Sequence, residues 1–120
     1  MTPLETLKAA RELISDESAW CRRAFARNSK GDSVRSNAPD AVQFCVKGAI
    51  YNVHDVEELT EQSLPAVAVI EDLSALTKLL HNMWDCGYYN NARSHGEVLE
   101  LLDTAIAREK DGKFSSNQAA

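Results

Sequence analysis

Four stretches of this chain place apolar residues at helical spacing, and that patterning limits the folds open to it more than any other feature. In the first stretch Leu4, Leu7 and Ile14, with Ala10 and Leu13 between, share one face. In the second, Val42, Cys45, Val46, Ala49, Ile50 and Val53 recur at helical intervals; the third carries Val69, Ile70, Leu73, Leu76, Leu79 and Leu80. The fourth has Val98, Leu101, Leu102, Ala105 and Ile106. A helix with one apolar face must bury it against another element, so the expected fold is mainly α, a compact bundle of about four helices.

Local signals set the expected boundaries. Thr2, Pro3 and Glu5 form a capping box with proline at the first helical position, so helix 1 should run to about Ser15. Ser36 and Asn37 are available to cap a second helix beginning near Pro39. Gly48 lies inside that helix at a cost of about 1 kcal/mol relative to alanine, which predicts close approach of another backbone or an aromatic ring. His54-Asp55 should open a short acidic helical turn through Glu61. Ser63-Leu64-Pro65 should start a helix ending around His81 or Asn82. Ser94 and Glu97 make a second capping box, with Gly112 as the stop.

Two stretches interrupt the stripes. Residues 20–35 show no helical period, and Asn28-Ser29-Lys30-Gly31-Asp32 is dense in turn formers. An irregular loop or short β-hairpin is expected there between helices 1 and 2, with Trp20 and Phe25 packing into the core. Residues 84–93 form the second interruption. At 120 residues the chain can bury one apolar core without metal or disulfide, so 1–112 reads as a single helical domain and 113–120 as a flexible C-terminal tail.

The three cysteines have no close partner in sequence, which suits a reducing compartment. No basic and apolar leader opens the sequence, and no run of about 18 apolar residues suits a membrane span. A cytoplasmic location without membrane attachment is expected. The net charge of −5 is unevenly spread. Residues 20–47 carry six cations against two carboxylates, whereas residues 48–77 carry six carboxylates and no lysine or arginine. Partial neutralisation between these regions is the reading favoured over a dedicated field for a charged partner.

Motifs of catalysis are sparse. Cys21, Cys45, Cys86, His54, His81 and His95 lack zinc-site spacing, so no metal is expected, and no cofactor. There is no nucleophile elbow or glycine-rich phosphate loop, so no catalytic residue is assigned. An enzymatic or small-ligand site using Cys86, His95 and Asn90, with Asp85, is one alternative. Another is anion or nucleic-acid binding through Arg22, Arg23, Arg27, Lys30 and Arg35, although the acidic composition weighs against nucleic acid. The favoured reading is a non-enzymatic interaction or regulatory protein with a protein partner. Trp84, Tyr88, Tyr89, Asn90 and Arg93 would contribute, since aromatic and arginine side chains commonly anchor interfaces. A homodimer is also open, through an apolar helix face left over by the core.

Trp20-Cys21, Cys45-Val46-Lys47-Gly48-Ala49, Tyr89-Asn90-Asn91 and the helix from Val98 to Ile106 together resemble a family of small, uncharacterised bacterial and phage helical proteins, a domain of unknown function. Its pattern combines a Trp-Cys segment, a Cys-x-x-Gly-Ala helix and an aromatic-Asn-Asp loop. This chain has Asn91 where that pattern tends to have Asp, so no carboxylate role carries over. The resemblance implies no activity; association with a phage or mobile element belongs to the interaction reading. It also implies that Trp20, Cys21, Cys45, Gly48 and Asn90 form one structural cluster, with the Trp-Cys segment docked at Gly48.

Overall fold

Helix α1, Pro3–Leu13, begins where Thr2 and Glu5 exchange hydrogen bonds. The Thr2 hydroxyl accepts from the Glu5 N–H at 3.1 Å, and the Glu5 carboxylate accepts from the Thr2 N–H at 2.8 Å. The computed structural model describes residues 1–81, 90–91 and 93–111, with the backbone alone over 74–81. Within them lie three further helices: α2 (Val46–Val53), α3 (Leu64–His81) and α4 (His95–Lys110). The four-helix expectation holds.

Each stripe finds its neighbour. Leu7, Ala10 and Ile14 are fully buried where α1 meets α2 and α4. Burying a side chain such as Leu7 or Ile14 contributes about 1.5–3 kcal/mol. From α3, Ala66, Val67, Val69, Ile70 and Leu73 enter the same core, as do Val98, Leu101, Leu102 and Ala105 of α4. Ser94 and Glu97 form the second capping box. Outside the core, Arg11 holds Asp103 at 2.8 Å, tying α1 to α4.

Between α1 and α2 the chain makes a single 3₁₀ turn, Glu17–Ala19, and three two-residue strands: β1 (Ala26–Arg27), β2 (Ser33–Val34) and β3 (Gln43–Phe44). They form an antiparallel sheet in the order β2-β1-β3, with Ala26 opposite both Val34 and Phe44. The expected hairpin is β1–β2. Its turn is closed by the Asn28 side-chain oxygen, which accepts from the N–H groups of Lys30 (2.9 Å) and Asp32 (3.1 Å). Gly31 supplies the left-handed residue, at φ +83°.

Two boundary expectations are corrected. Helix 2 starts at Val46, not near Pro39, because Gln43 and Phe44 pair with β1 and the Val42 N–H donates to the Arg27 carbonyl at 2.9 Å. The spacing from Val42 to Cys45 mimicked a helix period, yet Val42 is 48% exposed while Phe44 is buried. Cys45, in extended backbone, is the actual N-cap, its sulfur accepting from the Gly48 N–H at 3.3 Å. Ser36 and Asn37 instead sit in the turn after β2, where the Ser36 carbonyl accepts from the Asn52 side chain at 2.9 Å.

Nor do residues 54–61 form a helical turn. Asp55 at φ +55° stops α2: its N–H bonds the Asn52 carbonyl and the Val56 N–H bonds the Tyr51 carbonyl, a Schellman closure with aspartate in the place usually taken by glycine. Thr60 and Ser63 then cap one another reciprocally before α3. The basic and acidic segments touch through Arg35–Glu57 and Lys47–Glu71, each at 3.7 Å. Among the described residues no helix is long and apolar enough to cross a membrane.

Candidate functional site

The two interruptions of the helical pattern meet at Asn90. This side chain is 1% exposed and makes three hydrogen bonds. Its oxygen accepts from the Trp20 indole N–H at 2.8 Å and from the Val46 N–H at 3.1 Å; its amide nitrogen donates to the Cys21 carbonyl at 3.0 Å. Val46 opens α2, so one of the N–H groups that a helix start leaves without an intrahelical partner is satisfied by a residue 44 positions later. The Cys21 N–H in turn bonds the Phe44 carbonyl at 3.1 Å, extending the sheet edge through a parallel bridge between Trp20 and Phe44.

The next residues continue the seam. Asn91 accepts from the Arg23 N–H at 2.9 Å and thereby holds Arg23 at φ +64°. The Arg22 guanidinium lies 4.8 Å from the Trp20 ring centroid and donates to the Arg93 carbonyl, while Arg93 pairs with Glu97 at 3.1 Å. His95 stands 5.5 Å from the Trp20 ring. Its Nε2 is 2.7 Å from the Ile14 carbonyl, which only accepts, so that nitrogen carries the proton.

Gly48 explains how the sheet docks on α2. A Cβ there would lie 1.8 Å from the Phe25 carbonyl oxygen and 2.6 Å from its carbon, so only glycine admits that backbone. The same oxygen accepts from the Cys45 N–H at 3.1 Å. The close neighbour at Gly48 is therefore the backbone of Phe25, four residues beyond Cys21. The Phe25 ring departs from the expected core position. It is 48% exposed, resting edge-on against Tyr51 at 5.5 Å.

Phe25 helps to line two clefts. One, of about 400 Å³, is lined by Arg23, Ala24, Phe25, Ser33, Cys45 and Asn91. The other, of about 830 Å³, shares Phe25 and Ser33 and adds Val34, Arg35, Pro39 and the carboxylates Asp40, Glu57 and Glu58. The sequence carried no signal for these clefts beyond Gly48, since they depend on which of two aromatic residues turns outward.

The structure separates the candidate cations by their partners. Arg27 donates to the Gly31 carbonyl at 2.9 Å and the Arg22 carbonyl at 3.1 Å, and Arg35 faces Glu57. Arg23 and Lys30 have no side-chain partner among the described residues. The thiols of Cys21 and Cys45 are buried. Burial, with a smaller contribution from Cys45, pushes Cys21 up to about 11, and burial also raises Cys45, so both are protonated and poorly nucleophilic at neutral pH. Of the surface expected at 84–93, Asn90 is buried and Arg93 is half-buried; Trp84, Tyr88 and Tyr89 lie outside the described residues, as do Asp85 and Cys86.

The architecture is that of a small helical domain whose loop-borne sheet is locked to α2 by a buried asparagine. Residues 1–108 match the family of unknown function DUF6197, and the chain belongs to that family. No curated protein and no solved structure matches it.

Proposed function

We propose that the protein is a non-enzymatic interaction module that engages a protein partner over the ridge formed by Phe25 and its flanking clefts. The observation that carries this reading is an exposed aromatic side chain on a fixed backbone. The Phe25 carbonyl is held by the Cys45 N–H and seated on Gly48, so little ordering cost remains when the ring is buried by a partner. Aromatic residues presented in this way are typical interface anchors. Trp84, Tyr88 and Tyr89 precede the Asn90 junction in sequence and belong to the same proposal.

Photo-cross-linking tests it. With Phe25 replaced by p-benzoylphenylalanine in the full chain, irradiation in the native host should give one discrete heterologous adduct, absent when the probe sits at exposed Glu100 on α4. No adduct at position 25, equal adducts at both positions, or an adduct containing only a second copy of this chain would overturn the reading.

A further inference from the structure

We infer that the cleft beside Arg23 receives a carboxylate side chain of the partner, with an adjoining apolar residue against Ala24 and Phe25. This rests on the interaction reading above and names the chemistry of the partner segment. Arg23 is the one charged residue among the described residues lining this cleft. Its guanidinium has no partner among the described residues, whereas Arg22, Arg27 and Arg35 are committed to carbonyl groups, the Trp20 face or Glu57. Lys30 lines a separate, mainly polar cleft with Ser18, Asn28 and Gln43.

Charge complementarity selects the occupant. Among the described residues no carboxylate lines the Arg23 cleft, while the second cleft sets Asp40, Glu57 and Glu58 against one cation, Arg35, which is itself paired with Glu57. An acidic side chain is therefore attracted to the first cleft and disfavoured in the second, where carboxylates outnumber cations. A guanidinium presents a planar fork that matches a carboxylate through two parallel hydrogen bonds. A single cation in a chain of net charge −5 balances one carboxylate better than the repeated phosphates of a nucleic acid. The backbone adds a further reason. At φ +64° glycine would sit without strain, so what arginine brings to position 23 is its side chain.

The test uses ¹⁵N-labelled full chain and two blocked peptides, acetyl-Leu-Glu-Leu-amide and acetyl-Leu-Gln-Leu-amide. The Glu peptide should shift the backbone amide signals of Arg23, Ala24, Phe25, Ser33 and Asn91 saturably, and bind about tenfold more tightly than the Gln peptide. Arg23→Gln and Arg23→Gly should both erase that difference. The glycine variant relieves the backbone and so folds at least as well as the parent, separating loss of the cation from loss of structure. Equal binding of the two peptides, undiminished discrimination in either variant, shifts mapping elsewhere, or the same shifts from inorganic phosphate would each overturn the carboxylate assignment. The two readings fail separately. An adduct at position 25 that persists unchanged in the Arg23→Gly chain keeps the interaction module and removes the carboxylate pocket, whereas absence of any adduct removes the module itself.

Discussion

At the scale of single residues, Asn90 shows how one amide can serve three polar groups on two other chain segments. Replacing it with alanine leaves the Trp20 indole N–H, the Val46 N–H and the Cys21 carbonyl without their buried partner. The expected loss is about 3 kcal/mol or more, readable by urea denaturation. Asn90→Asp makes a sharper experiment. The acceptor facing Trp20 and Val46 survives, but an ionised second oxygen would oppose the Cys21 carbonyl instead of donating to it. Protonation restores a donor, so the introduced acid should have a folded pKa above its unfolded value. Its stabilising contribution is then complete below the unfolded value and lost as pH rises through the folded one. The variant should lie nearer the parent in stability at about pH 4 than at pH 7; an unchanged gap across that range would remove the donor role of the amide.

At the scale of elements, the contact between α2 and the segment leading into β1 hinges on Gly48. In an ordinary helix interior, Gly→Ala stabilises by about 1 kcal/mol. Here the added methyl would meet the Phe25 backbone rather than a movable side-chain tip. Gly48→Ala is therefore expected to destabilise by about 3 kcal/mol. A rise in thermal midpoint would show that the sheet does not rest there. The sequence revealed both capping boxes, the start of α3 and the faces of α1 and α4, because those depend on neighbours within one or two turns. It also flagged Gly48 as a contact point. It misplaced the start of α2 because Val42, Cys45 and Val46 satisfy a helical period while the backbone at 43–44 is claimed by a strand 17 residues earlier. Aspartate at the Schellman position hid the end of the same helix. The site was partly legible: the two interruptions were recognised as places where function could reside, but their meeting at Asn90 is a long-range contact that local patterns do not encode. The outward turn of Phe25 is not legible because apolarity alone cannot say which way a ring will point at the irregular residue just before β1.

At the scale of the whole molecule, the ion pairs Arg35–Glu57 and Lys47–Glu71 join the unlike-charged segments, and the solvent-facing one, Arg35–Glu57, is worth at most about 1 kcal/mol. Stability should depend more on pH through His54, which links α2 to α1 by a 3.0 Å contact with the Thr6 hydroxyl. Burial foremost lowers the His54 pKa below its ordinary value, with a smaller push from the N-terminal ammonium. The unfolded chain therefore takes up a proton first as pH falls below about 6.5, and folded stability declines through the mildly acidic range. His54→Gln should flatten that decline in denaturant midpoints measured from about pH 7 to pH 5. An equally steep decline in the variant would assign the effect elsewhere.

The Asn90 junction also has a consequence for synthesis on the ribosome. Trp20 and Cys21 emerge 70 and 69 residues ahead of the side chain that completes their polar contacts. A nascent chain can form α1 and its local turn early, but the polar contacts of the Trp20 segment and the first turn of α2 must wait for Asn90. Closure of this seam is thus expected to be set by long-range loop closure rather than by the speed of the helices.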